Sequence, residues 1–167
     1  MTVYSNDPTE IVRDFENSGA KFLHLVDLEG AKDGTTPNFD TVKRIRQSTD
    51  MFIEIGGGIR SMETVKKYLD EGIDRVILGT AAVNDEAFLK EAVSVYGDKI
   101  AVGVDIKDGY VAIKGWTEKS QYSGIEFCEK MQSIGVNTII CTDVSKDGAM
   151  IGTNRELYKE LSEKSTL

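Results

Sequence analysis

The sequence predicts an α/β fold of the (β/α)8 TIM-barrel type, present as an incomplete barrel of about five β/α units. Apolar runs alternate with stretches of helical periodicity, glycines mark the returns from helix to strand, and polar residues gather at successive strand ends. The strand candidates are residues 21–28 (KFLHLVDL), 51–56 (MFIEIG), 74–80 (DRVILGT), 100–106 (IAVGVDI) and 138–144 (TIICTDV). Their Val, Ile and Leu content fits strands covered on both faces. Apolar residues at helical spacing occupy 8–18, 39–47, 61–71, 84–95, 121–134 and 155–163. Strand followed by helix, repeated, is the pattern of a parallel sheet with right-handed crossovers.

Caps support these boundaries. Asp7-Pro8 opens the first helix, Ser61 with Glu63 and Thr64 another, and Asn84 with Glu86 in its first turn a third. Gly19, Gly72 and Gly135 each stand just past a helix, where the chain turns through the left-handed region that glycine tolerates.

Polar residues separate the two parallel architectures. A doubly wound sheet wants a Gly-rich phosphate loop after its first strand and an acidic residue about 20 positions on. Here the first strand runs into His-Leu-Val-Asp-Leu-Glu-Gly instead. A barrel distributes polar groups over many strand ends, and Asp27, Gly56 to Gly58, Gly79-Thr80, Asp105 and Thr142-Asp143 stand at such ends. A closed barrel takes about 250 residues. The 167 residues are therefore expected to form one partial barrel domain, 1–167, with the first strand and the last two β/α units absent. An internal repeat points the same way: Val26-Asp27 followed by Lys32-Asp33-Gly34 resembles Thr142-Asp143 followed by Lys146-Asp147-Gly148. A third Lys-Asp-Gly, at 107–109, follows Asp105, as expected of a duplicated β/α ancestor.

The formal charge of -8 argues against nucleic acid as partner, because holding a phosphate backbone needs a basic surface. A small anion remains compatible, since a few backbone N–H groups hold one phosphate. No apolar run approaches the roughly 20 residues of a membrane span, and residues 1–8 lack the regions of a secretory signal. Two cysteines, Cys128 and Cys141, without metal-type spacing, read as reduced thiols. The expected location is cytoplasmic, without a membrane partner.

Gly56-Gly57-Gly58-Ile59-Arg60-Ser61 turns into a helix and offers unhindered backbone N–H groups where the helix dipole favours an anion. Gly79-Thr80 is a second such turn, and the pair reads either as a shared phosphate cradle or as tight packing. Asp105, after a wholly apolar strand, reads either as a turn carboxylate or as a general acid or base at a barrel mouth. His24 lies three residues before Asp27 and so faces the other side of its strand; a core histidine and a ligand contact both fit. Asp27, Asp143 and Asp147 divide likewise between loop structure and chemistry. Trp116, the only Trp, either packs a loop down or stacks on a heterocycle. No set of His, Cys and carboxylates has metal-ligand spacing, so no metal is expected.

Together, His24 to Ala31, Gly56 to Ser61, Val104-Asp105, Lys114-Gly-Trp116 and Cys141 to Gly148 closely resemble the isomerase family of histidine biosynthesis that acts on phosphoribosylformimino-aminoimidazole-carboxamide ribotide. The cyclase subunit of imidazole glycerol phosphate synthase is the next nearest resemblance. The isomerase resemblance covers essentially the whole chain and implies an Amadori rearrangement of an aminoaldose to an aminoketose on a bisphosphorylated ribotide, without cofactor. It implies that Asp105 is the general acid, Thr142 the polar residue assisting it and Asp147 its loop partner. Gly57, Gly58, Gly79 and Thr80 would grip one phosphate, Trp116 would stack on substrate, and His24, Asp27 and Arg60 would line the site. The family's general base, an Asp on the first strand, and its second phosphate grip, after the seventh and eighth strands, are not among these residues. The chain alone is therefore expected to lack useful isomerase activity, and its open sheet edges invite self-association. The alternative is a non-catalytic phosphate-binding or self-assembling partial barrel.

Overall fold

A computed structural model describes residues 5, 7–113 and 115–165. Strands and helices alternate along the chain and most strand pairing is parallel, so the architecture is α/β as the sequence predicts. The chain divides into two compact units, Met1–Val76 and Ile77–Leu167.

In the first unit, helix α1 (Pro8–Asn17) leads to strand β1 (Phe22–Val26), short helix α2 (Leu28–Asp33), helix α3 (Phe39–Ser48), strand β2 (Phe52–Gly56) and helix α4 (Met62–Asp70). Asp7 caps α1 by accepting from Thr9 N, with Pro8 in the first turn, as its sequence requires. Gly19 follows at φ 93°, and Ala20 N donates back to Phe15 O. Strands β1 and β2 pair in parallel, Phe22 opposite Phe52 through Val26 opposite Gly56. One side of them is packed: Ile53, Ile55, Val65, Tyr68 and Ile73 are at most 2% exposed. Each such Ile side chain contributes about 2–3 kcal/mol by burial.

Strand β3 (Arg75–Leu78) crosses the boundary between the units. The second unit continues with α5 (Thr80–Asn84), α6 (Glu86–Tyr96), a 3-10 turn at Gly97–Lys99, β4 (Ile100–Lys107), β5 (Tyr110–Ile113), β6 (Glu118–Ser123), α7 (Gly124–Ile134), β7 (Ile139–Asp143) and α8 (Arg155–Lys164). Strands β4 and β7 pair in parallel, Val102 opposite Ile139 through Ile106 opposite Asp143. Leu89, Ala92, Val102, Val104, Phe127 and Met131 form the buried core of this unit.

Three expectations change. Residues 110–123 form an antiparallel hairpin, β5 with β6, rather than a loop running into a helix, and α7 begins only after Ser123, which forms a capping box with Glu126. The third Lys-Asp-Gly is the turn between β4 and β5: Asp108 and Gly109 have φ 51° and 82°, as a two-residue type I′ hairpin turn requires. It is therefore no third copy of a strand-to-helix turn. Asp85, not Asn84, caps α6 by accepting from Phe88 N, while Asn84 ends α5.

The glycine turn after β2 is sterically constrained. A Cβ on Gly57, at φ 112°, would lie 2.2 Å from the Asp27 carbonyl oxygen, whereas one on Gly19 would meet nothing within 4 Å. Gly19→Ala is expected to lower stability by about 1 kcal/mol through backbone strain alone. Gly57→Ala should lower it by more than about 3 kcal/mol, because strain and overlap add. Urea unfolding of the two variants measures the difference, and equal losses would contradict this account.

Candidate functional site

Each unit carries a cluster of polar residues beyond the C-terminal end of a strand. In the first, Asp27 follows β1 and is 4% exposed. Its Oδ1 accepts from Gly30 N at 2.9 Å, capping α2, and from Asn38 Nδ2 at 2.8 Å. Its Oδ2 and the Tyr68 hydroxyl are both buried without a hydrogen-bond partner among the described residues. Burial and the Asp27 charge push the Tyr68 hydroxyl up to about 12, so it stays protonated. The turn Gly56 to Gly58 packs on the backbone from Asp27 to Gly30, and a Cβ on Gly58 would lie 2.1 Å from Gly30 O. Arg60 donates from Nη2 to Ala31 O at 2.9 Å, so this exposed guanidinium braces the same turn.

His24 occupies the other side of β1. Its Nδ1 is 2.7 Å from Glu54 Oε1, and the two residues are register partners. Glu54 Oε2 accepts from Arg75 Nε at 2.9 Å and Nη2 at 2.7 Å. Burial raises the Glu54 pKa, but hydrogen bonds from His24 and Arg75 and their charges outweigh it, so Glu54 is held below the usual carboxylate range.

In the second unit, Asp105 lies in β4 with Thr142 of β7 opposite it in the parallel register. Register partners on neighbouring parallel strands point to the same face, with backbones about 4.8 Å apart. Asp105 Oδ2 accepts from the Trp116 indole Nε1 at 2.8 Å. Trp116 stands between β5 and β6 at φ 69°, after Gly115 at φ 63°, and its carbonyl oxygen accepts from Lys107 Nζ at 3.5 Å. Lys114, of the Lys-Gly-Trp motif, lies outside the described residues.

Asp143, one residue beyond Thr142, faces the opposite side and is 7% exposed. Its Oδ1 accepts from Ser145 N and Oγ at 2.9 and 2.7 Å, and Oδ2 accepts from Asn154 Nδ2 at 2.6 Å. Asp147 is exposed, and its backbone N–H donates to Asp143 O at 3.1 Å. Gly79 precedes α5 as an exposed residue, and Thr80 begins that helix. Burial pushes the thiols of Cys128 and Cys141 up to about 11 and about 12, so neither is a ready thiolate. Among the described residues, no three His, Cys, Asp or Glu side chains are placed to hold a metal ion, and no helix is long and apolar enough to cross a membrane.

The sequence matches the family described as histidine biosynthesis protein over residues 1–167. The chain belongs to that family. It is 49% identical over 163 residues to a Brachyspira hyodysenteriae protein named 1-(5-phosphoribosyl)-5-((5-phosphoribosylamino)methylideneamino)imidazole-4-carboxamide isomerase, covering 98% of this chain and 68% of the relative. Relatives of the same name from Lactococcus lactis subsp. cremoris and Clostridium acetobutylicum are 51% and 48% identical, covering 99% and 97% of this chain and 68% of each relative.

In this histidine biosynthesis protein, Asp105, Trp116 and Thr142 come together, whereas Asp27 and Asp143 are buried and bound to their own loops. Residue-by-residue reading missed the asparagines that pair with these buried carboxylates. Asn38 and Asn154 each stand eleven positions after their aspartate, so aligning the repeat on both ends would have found them. It also missed Glu54, the one charged residue in its apolar strand.

The Asn154 contact yields a prediction with a sign. Hydrogen bonds from Ser145 and then Asn154 hold Asp143 below its ordinary value of 3.8. A lowered folded-state pKa contributes stability that is present above the unfolded value and lost as pH falls through the folded one. Asn154→Ala is expected to lower stability by about 1–3 kcal/mol near pH 7. In urea unfolding the deficit should persist down to about pH 5 and shrink below about pH 4.

Proposed function

We propose that this protein isomerises a bisphosphorylated ribotide, converting an aminoaldose to an aminoketose in histidine biosynthesis, the activity named for its relatives. The carrying observation is the meeting of Asp105, Trp116 and Thr142: a carboxylate, an indole whose edge N–H it accepts, and a threonine opposite it on the neighbouring strand. In this reading Asp105 gives its proton to the ring oxygen, the C1–O bond breaks, and nitrogen lone-pair donation yields an open-chain iminium. Loss of the C2 proton to a base these residues do not supply gives the enaminol, which tautomerises to the ketose. Thr142 assists Asp105, Asp147 closes the loop over it, and Trp116 stacks on the heterocycle. The Gly57-Gly58 and Gly79-Thr80 turns offer N–H groups to phosphate, and His24 contacts the sugar. Asp27 and Arg60 hold the β1–α2 turn in shape. The family match supports reading 1–167 as belonging to one barrel domain.

In any form of the protein that turns the ribotide over, Asp105→Asn is expected to lower turnover by about 10²–10⁴-fold with little change in KM, as loss of a general acid does. Trp116 is the only Trp, so its fluorescence reports the indole directly. Adding substrate should change that emission as the ring leaves Asp105, and Trp116→Phe should weaken binding less than Trp116→Ala. Phosphate binding without turnover in any form of the protein would overturn the isomerase reading in favour of a binding module.

A further inference from the structure

His24, Glu54 and Arg75 form a chain of contacts in which each carboxylate oxygen has its own donor: Oε1 faces His24 Nδ1, and Oε2 takes two Arg75 N–H groups. Arg75 is itself seated, its guanidinium 5.2 Å from the Phe52 ring centroid, and Phe52 packs on Phe22 at 5.4 Å. An ionised Glu54 has only acceptors, so the hydrogen shared with His24 is on the ring's Nδ1. In the neutral ring Nε2 then carries the lone pair, and among the described residues it has no hydrogen-bond partner.

Satisfying Arg75 alone would explain a half-buried Glu54. It would not explain why the second oxygen is given to a histidine whose side chain is 46% exposed and needs no buried partner. Orienting a histidine through the nitrogen it does not use is a general device, because the partner of one ring nitrogen decides the state of the other.

We propose that Glu54, held by Arg75, is a positioning residue that fixes His24 as the Nδ1–H tautomer and presents Nε2 as a hydrogen-bond acceptor to a sugar hydroxyl of the phosphorylated ligand. This rests on the reading that His24 contacts the ligand.

Glu54→Gln supplies a sharp test. Arg75 has only donors and draws the amide oxygen, which leaves the amide NH2 facing His24 Nδ1. That nitrogen must then accept, and the proton moves to Nε2. His24 is the only histidine, so long-range 1H–15N correlation spectra read its tautomer without ambiguity. Above the ordinary imidazole range, wild type is expected to show Nδ1–H and Glu54→Gln to show Nε2–H. Glu54→Asp, which restores an anionic acceptor, should return Nδ1–H.

Ribose 5-phosphate serves as the probe. It should shift the Nε2 resonance of wild type and bind Glu54→Gln about tenfold more weakly. An Nε2–H tautomer in wild type, or one unchanged among the three proteins with dispersed amide spectra, overturns the positioning role. Tautomers as expected with no Nε2 response to ribose 5-phosphate, while the phosphate resonance reports binding, overturn the ligand contact and with it the proposal.

Discussion

A carboxylate buried at the end of a strand must be hydrogen-bonded, and much of the site architecture follows from how this chain meets that requirement. Asp27 and Asp143 stand just past β1 and at the end of β7, each turned to the packed side. Each accepts from a backbone N–H two or three residues on and from an asparagine eleven residues on. The second bond closes the loop, because that asparagine also begins the next helix, α3 or α8. One buried charge thus sets where the strand ends and where the following helix starts. The repeat seen in the sequence is a repeat of this device more than of the Lys-Asp-Gly triplets, whose three copies fall in a helix C-terminus, a hairpin turn and a loop.

The two-residue period of a strand then divides labour between neighbouring residues. Thr142 and Asp143 are adjacent in sequence but face opposite sides, one beside Asp105 and the other into the loop it organises. On β1 the same parity puts His24 on one side and Asp27, three residues on, on the other. Groups proposed to meet a ligand and groups that hold the loops are thereby kept from competing for the same partners. A carboxylate already accepting three hydrogen bonds, as Asp143 does, is a poor proton donor. Asp105, which among the described residues accepts from the Trp116 indole N–H alone, is better suited to exchange partners.

Local signals were legible where one physical rule dominated. Asp7-Pro8, Ser61 and the glycines after helices placed boundaries to within a residue or two, because caps act over three or four residues. Asn84 and Asp85 are both capping types, and only the break between α5 and α6 assigns Asp85 to α6. The hairpin was missed because β6, Glu118–Ser123, is polar and partly exposed and so carries no apolar alternation, although Asp108-Gly109 announced its other turn. Glu54 was visible as a charge in an apolar strand, but its partners lie 30 and 21 residues away and appear only through register and side-chain contact. Long-range pairing of this kind has no local signature.

The Trp116 contact joins structure to chemistry through an exchange that is nearly balanced. A hydrogen bond from the indole to a carboxylate is worth about 1.5–3 kcal/mol net, less at an exposed position. Aromatic stacking on a planar heterocycle is worth about 0.5–1.5 kcal/mol beyond the area it buries. One ring cannot keep its N–H on Asp105 and also lie flat on a ligand that occupies the space above it. Because neither contact outweighs the other by much, the proposed stacking would be able to draw the indole from Asp105, with the left-handed backbone at Gly115 and Trp116 as a constraint on the exchange. In the proposed reaction Trp116 and Asp105 therefore work as a pair: the indole would shield the carboxylate while no ring is bound, and the arriving ring would replace it. A phenylalanine at position 116 retains the plane and loses the donor, whereas an alanine loses both, which makes the two halves of the exchange separable.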